Sequence, residues 1–118
     1  MPSIMNRTEF LDRINVILES NALQARLYHQ APNPNMVIHT IRKNGRSFRD
    51  DLKFVAYNAF SITLCNEAKL LLNETSIDVL NRAATMLWKR APQHTKQDYR
   101  TCAQMVSANI PKRRLGRV

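Results

Sequence analysis

Residues 76–103 read SIDVLNRAATMLWKRAPQHTKQDYRTCA, and this stretch decides the fold. Apolar residues recur at three- and four-residue steps on both sides of Ala91-Pro92, which is the spacing of amphipathic helices. Pro92 ends the first helix, because proline lacks an amide donor and disfavours helical geometry in the residue before it. We therefore predict one helix over residues 76–90 and another over residues 95–110.

The same periodicity predicts two helices upstream, over residues 47–73 and 7–29, and the second of these has a break near Ser20. The prolines in residues 31–35 (APNPN) predict a linker between them. Residues 36–41 (MVIHTI) are apolar and partly β-branched, so we expect an extended arm that lies over the helices, or a single short strand.

Composition favours one compact, mostly helical body, because the 118 residues are 44% hydrophobic and include only two glycines. Cys65 and Cys102 have no CxxC spacing, so the sequence predicts no disulfide framework, no metal site and no cofactor. The N-terminus lacks a leader pattern, and no window approaches the roughly 18 apolar residues of a membrane helix. We expect a soluble, intracellular chain without a membrane segment.

The charge balance favours a polyanionic partner. Lys and Arg number 18 against nine Asp and Glu, which gives a net charge of +9. Residues 89–118 alone carry eight basic side chains against one acidic side chain, Asp98. Nucleic acid is therefore the first partner to consider.

An enzyme is not expected. His29, His39 and His94 are scattered along the chain, and no glycine-rich phosphate loop is present. Neither cysteine has a base that the sequence identifies.

Several residues follow an order that is typical of one family. They are Asn58-Ala59-Phe60, Trp88, Lys96, Tyr99 and Ala103. In this order and spacing they resemble a high-mobility-group (HMG) box, most closely the fungal mating-type kind, over about residues 51–117. The resemblance implies an all-α fold in which three helices form an L and the third packs against an N-terminal strand. It divides the chain into an N-terminal helical extension with linker, 1–46, and an HMG-box-like DNA-binding domain with a basic tail, 47–118.

The resemblance assigns the aromatic residues to packing. Phe60, Trp88 and Tyr99 would fill the corner of the L, with a contribution from Phe54 or Tyr57. Residues Val55-Ala56 stand where the family has Arg-Pro, so we expect continued helix in place of the family's N-terminal strand.

The resemblance also implies which residues contact DNA. Asn58 and Asn81 match polar positions that face base edges in the minor groove, and Ser61 stands at the position of an apolar wedge. Serine buries little surface against a base step, so we expect weaker bending than in the family, or a wedge supplied by Phe60 or Ile62. The predicted DNA-binding residues are Lys53, Asn58, Phe60, Ser61, Asn81, Arg82, Lys89, Arg90, Lys96, Arg100, Lys112, Arg113, Arg114 and Arg117.

The implied function is minor-groove binding and bending of double-stranded DNA in the nucleus, by a mating-type-like transcription regulator or an architectural factor. The alternative is a protein-interaction or RNA-binding module on a diverged HMG-box scaffold, which the serine at position 61 favours. Residues 7–29 have an apolar stripe that needs a cover, so this segment docks on the box, self-associates or binds a protein partner.

Overall fold

The computed structural model describes residues 5–43, 48–49, 55–109 and 112–113. Within these residues the chain forms six helices, which confirms the all-α prediction. They are α1 (Arg7–Leu18), α2 (Asn21–Tyr28), α3 (Pro34–Lys43), α4 (Ala56–Leu72), α5 (Ile77–Arg90) and α6 (Gln93–Asn109). Two short strands, β1 (Phe48–Arg49) and β2 (Lys112–Arg113), pair in parallel.

Side-chain caps set several of the helix boundaries. The Ser20 hydroxyl accepts a hydrogen bond from the Leu23 amide at 3.2 Å, so the predicted break at this point is confirmed. Ser76 caps α5 in the same way, and α5 ends at Arg90, immediately before Ala91-Pro92, as predicted. At the other end of the α4–α5 loop, Asn73 takes a left-handed conformation with φ 54°, which terminates α4.

The prediction of an extended arm over residues 36–41 is wrong, because these residues lie within α3. Pro34 is the first residue of α3, where its missing amide hydrogen costs no helical bond. The Asn33 side chain accepts hydrogen bonds from the next free amides, including that of Met36 at 3.2 Å. Val37 and Ile41, one turn apart, are both buried, and this amphipathic packing outweighs the β propensity of the segment.

Two predicted helix starts are also wrong. Helix α4 begins at Ala56 and not near residue 47, because Val55 is extended, with φ −101° and ψ 169°. The expected continuation of helix through Val55 is therefore absent. Helix α6 begins at Gln93, two residues before Thr95. Thr95 is buried and its hydroxyl is used in a tertiary contact instead of a cap.

One hydrophobic cluster joins all six helices. Helix α4 packs against α5 and α6, α1 packs against α5, α2 packs against α4, and α3 packs against α4 and α6. Residues 7–29 were expected to dock on the rest of the chain, to self-associate or to bind a protein partner. In the structure α1 and α2, which span these residues, dock on α5 and α4. No helix in the described part of the chain is long and apolar enough to cross a membrane.

Polar contacts fasten the N-terminal helices to this core. Arg13 of α1 forms a two-pronged ion pair with Glu74 of the α4–α5 loop, whose carboxylate also accepts from the amides of Thr75 and Ser76. Arg26 of α2 pairs with Glu67 of α4 at 3.1 Å. The contacts fix where α1 and α2 lie against the loop and against α4.

Tyr28, the last residue of α2, contacts both α5 and α6. Its hydroxyl donates to the Leu87 carbonyl at 2.6 Å. Its own carbonyl accepts from the Thr95 hydroxyl at 3.1 Å. Because the Ala91 amide bonds to the Trp88 carbonyl, it does not take up the Leu87 carbonyl one residue earlier, and the tyrosine hydroxyl donates to that carbonyl instead.

Candidate nucleic-acid interface

Aromatic rings meet where α4, α5 and α6 come together. The Phe60 centroid lies 5.1 Å from that of Trp88 and 5.2 Å from that of Tyr99. Tyr57 contacts Trp88 edge-on at 6.2 Å, and Tyr28 stacks on Phe60 at 6.5 Å. The predicted packing of Phe60, Trp88 and Tyr99 in one cluster is confirmed, and Tyr57 joins it. Phe54 lies outside the described residues.

The assignment of Phe60 as a DNA contact is wrong. Its side chain is 0% exposed and lies wholly inside the aromatic cluster, so it cannot reach a base step. Tyr99 is equally buried, and burial raises the pKa of its phenol. Burial likewise raises the pKa of the nearby Cys102 thiol to about 11. Both groups are therefore neutral core residues at physiological pH.

A groove of about 500 Å³ runs along the outer side of α4. We call it the α4 groove; its lining includes Thr40 of α3, Ser61, Ile62 and Lys69 of α4, and Ile77 and Asn81 of α5. Ser61 and Asn81, which the resemblance placed in the minor groove, thus lie in one concavity although they belong to different helices. Helix α4 supplies its floor because residues 61, 62, 65 and 69 recur at helical spacing.

The side of the α4 groove formed by α3 is held by a polar contact. Asn66 of α4 donates through its side-chain amide to the Thr40 hydroxyl at 2.8 Å. Thr40 in turn donates to the Met36 carbonyl of its own helix at 3.0 Å. Helix α3 therefore contributes directly to the shape of the groove.

Asn58 begins the same side of α4. Its side-chain carbonyl accepts a hydrogen bond from the Val55 amide at 2.9 Å, and this bond closes the first turn of the helix. Asn58 is half-buried. An asparagine amide group keeps two donors beyond such a bond, so this capping role is compatible with a contact to a base edge.

A second hollow of about 440 Å³ lies beside Trp88 and Tyr57 of the aromatic cluster. We call it the Trp88 hollow; Val55, Tyr57, Trp88, Arg100, Ala103 and Gln104 line it. The Lys96 ammonium lies 5.8 Å from the Trp88 ring centroid, within the range of a cation–π contact. Two of the predicted cations, Lys96 and Arg100, are therefore brought together beside an aromatic ring.

The other predicted cations are spread over several surfaces. Arg82 and Lys89 are exposed, two turns apart on the same side of α5. Burial raises the pKa of the Tyr28 phenol, and the positive charge of Arg90 partly offsets this rise. The structure does not describe the side chains of five predicted residues, which are Lys53, Lys112, Arg113, Arg114 and Arg117. Of these, Lys112 and Arg113 have a described backbone, which forms β2.

Sequence reasoning missed Thr40, Lys69 and Ile77 as groove residues. Ile77 is 64% exposed at the rim of the groove, whereas its position in the apolar pattern of α5 indicated burial. Thr40 was missed because its segment was predicted to be extended. Lys69 could have been found from its position in the sequence, because it lies two turns after Ile62 on the same side of α4.

Within the described residues, no group of three or more His, Cys, Asp or Glu side chains is placed to hold a metal ion. No protein-family model matches this chain, and comparisons with curated proteins and with solved structures also give no match.

Proposed function

We propose that this protein binds the minor groove of duplex DNA with the side of the molecule that carries the α4 groove. The observation that carries the proposal is the meeting of Ser61 and Asn81 in one concavity that Lys69 also lines. Uncharged polar side chains suit the acceptors on minor-groove base edges, and a lysine suits the phosphates beside them. In this proposal the chain acts as a mating-type-like transcription regulator or an architectural factor in the nucleus.

The packing of α4, α5 and α6 supports the HMG-box interpretation behind this proposal. Helix α4 packs against both other helices, and the aromatic cluster lies at their junction. We propose that these three helices form the L of the box, with α1, α2 and α3 as an extension that covers one side of it. The parallel pairing of β1 with β2 at the end of α6 agrees with an N-terminal strand beside the third helix.

The charge of α5 and α6 also favours a polyanion. The two helices carry five basic residues, Arg82, Lys89, Arg90, Lys96 and Arg100, against the acidic Asp78 and Asp98. If four to six cations of the whole chain neutralise phosphates, the logarithm of the binding constant falls with the logarithm of salt concentration at a slope of about −4 to −5.

Bending depends on which apolar side chain can enter a base step. Phe60 is excluded by its burial, and Ser61 offers a hydroxyl. Ile62 lines the α4 groove as a half-buried residue, and Ile77 is the more exposed apolar side chain at its rim. We propose that these two isoleucines act as the wedge, which costs a few kcal/mol of unstacking per step and permits wider backbone contact.

The experiment is a fluorescence-anisotropy titration of an A·T-rich duplex, a G·C-rich duplex and a single-stranded RNA of equal length. We expect tightest binding to the A·T-rich duplex and a several-fold loss of that preference in Asn81→Ala. The matched control is Asn15→Ala, an exposed asparagine of α1 outside the groove, which should leave all three affinities unchanged.

Two results would contradict the proposal. One is equal binding to all three oligonucleotides with no effect of Asn81→Ala. The other is no binding to either duplex at low salt, which would favour the alternative of a protein-interaction or RNA-binding module. Exposed apolar residues support that alternative, since Leu70 is 78% and Met105 is 53% exposed.

A further inference from the structure

Two cations of α6 lie on the side of the helix that faces the Trp88 hollow. Lys96 stands one turn before Arg100, and Arg100 stands one turn before the rest of the α6 wall of the hollow, Ala103 and Gln104. Asp98 is two residues from each cation, and side chains two residues apart on a helix do not face each other. Among the described residues, the lining of the hollow therefore carries positive charge and no acidic side chain.

Neither cation forms an ion pair within the part of the chain that the structure describes, where the ion pairs involve Arg13 and Arg26. The Arg100 guanidinium donates to the side-chain carbonyl of Gln97 at 3.2 Å, and this acceptor is neutral and exposed. The Lys96 ammonium lies over the Trp88 ring. A guanidinium has five N–H donors and an ammonium has three, so both cations keep donors for an anionic ligand.

The other walls of the hollow are apolar. Val55, which is 48% exposed, and the half-buried rings of Tyr57 and Trp88 line it. Ala56 and Ala103 line it as well, and their short side chains leave the space open. The volume of about 440 Å³ falls in the range of about 300–1,000 Å³ that is usual for ligand sites. The hollow therefore suits a bulky apolar side chain with negative charge beside it.

We propose that the Trp88 hollow binds an acidic segment of a partner protein that carries a bulky apolar side chain, such as phenylalanine. The apolar side chain packs beside Trp88, and the carboxylates of the segment pair with Lys96 and Arg100. Tryptophan, tyrosine and arginine are the residues that contribute most to binding at protein interfaces. Among the described residues, the hollow and the α4 groove have no lining residue in common, so this site is separate from the proposed DNA contact.

The chain has one tryptophan, so its fluorescence reports directly on the hollow. The probe is the peptide acetyl-DEDFDED-amide. The control peptide, acetyl-DEDADED-amide, has the same charge without the aromatic side chain. We expect the phenylalanine peptide to shift the emission of Trp88 to shorter wavelength and to protect it from quenching by acrylamide. Its Kd should be lower than that of the control peptide by about tenfold or more, because a phenylalanine buries far more apolar surface than an alanine.

Two pairs of variants test the two halves of the site. Arg100→Glu should weaken binding of the phenylalanine peptide about five- to tenfold at low salt, since it replaces an attraction by a repulsion. Arg7→Glu makes the same change at an exposed position of α1 and should alter the Kd by less than about twofold. Val55→Ser removes an apolar wall but supplies a good N-cap for α4, so it should weaken binding several-fold without lowering stability. Val16→Ser, at an exposed position of α1, should leave binding unchanged.

Melting temperatures verify that all variants are folded. No response to the phenylalanine peptide, equal affinities of the two peptides, or equal effects of Arg100→Glu and Arg7→Glu would overturn the proposal. A Trp88 that acrylamide cannot quench in the free protein would also overturn it, because the chain itself then fills the hollow. If a single-stranded oligonucleotide quenches Trp88 at lower concentration than the peptide does, the occupant is a nucleic acid and the proposal is wrong. Asn81→Ala should leave peptide binding unchanged, so a failure of this proposal and a failure of the proposed DNA binding can be told apart.

Discussion

Removal of the Tyr28 hydroxyl tests whether α2 is part of the folded core. In Tyr28→Phe the ring remains stacked on Phe60, but the 2.6 Å hydrogen bond to the Leu87 carbonyl is lost. The Ala91 amide, which follows the helix and could bond to that carbonyl, bonds to the Trp88 carbonyl instead. The variant therefore leaves a helix-terminal acceptor unsatisfied where α2 meets α5.

The magnitude follows from this geometry. A neutral hydrogen bond contributes about 0.5–1.5 kcal/mol, and an acceptor left without a partner in a partly buried site costs about 1–3 kcal/mol. We expect a loss of about 1.5 kcal/mol in the free energy of unfolding. With an unfolding entropy of about 2.1 cal/mol/K per residue, this lowers the melting temperature of the 118-residue chain by about 6 °C.

The assay is urea denaturation followed by circular dichroism, together with the melting temperature. The matched control is Tyr57→Phe, whose hydroxyl makes an exposed contact with Thr85 at 3.2 Å and whose loss should cost less than about 0.5 kcal/mol. Equal stability of Tyr28→Phe and the wild-type protein, or an effect no larger than that of the control, would refute the argument that α2 is fastened to the core through this residue.

The other predictions concern stability over pH, packing and bending. The ion pair with Arg13 and two amide hydrogen bonds hold the pKa of Glu74 below its usual value, so this contact stabilises the fold above about pH 4.5 and the stabilisation is lost as pH falls further. Glu74→Gln should therefore reduce the fall in the free energy of unfolding between neutral and acid pH. Burial raises the pKa of Cys102 from 9.0 to about 11, so stability should decline as pH rises through that range, and Cys102→Ala should reduce the decline. Leu27→Ala should cost about 2–5 kcal/mol in urea denaturation, because this fully buried side chain belongs to the common core. Ile77→Ala should reduce the DNA bend angle measured by energy transfer between end labels, and an unchanged angle would argue against its role as a wedge.

The sequence was a good guide where a single residue type decides the backbone. Ser20 and Ser76 start helices through their hydroxyls, and Pro92 ends one, and all three boundaries were predicted. The aromatic cluster was also predicted, because the order and spacing of its members resemble those of an HMG box. These features are local, or they depend on the spacing of residues along the chain.

Predictions failed where tertiary packing decides the outcome. Residues 36–41 have β-branched side chains, yet Val37 and Ile41 complete the core only in a helix. Phe60 was expected both to pack in the aromatic cluster and to contact DNA, but it is fully buried, and Tyr28 of α2 stacks on it. Thr95 was expected to begin a helix, but its hydroxyl donates a hydrogen bond to the carbonyl of Tyr28. In each case the deciding partner lies in another helix, which no local pattern reveals.

A titration with an A·T-rich duplex, in which the backbone amides are followed by heteronuclear NMR, is the most direct test of the proposed contact with DNA. We expect the largest shifts on the two helices that meet in the concavity, at Ser61, Lys69 and Asn81, and unchanged signals on the outer side of α1 around Asn15. Shifts confined to α1, or spectra that a molar excess of duplex leaves unaltered at low salt, would contradict binding through the α4 groove.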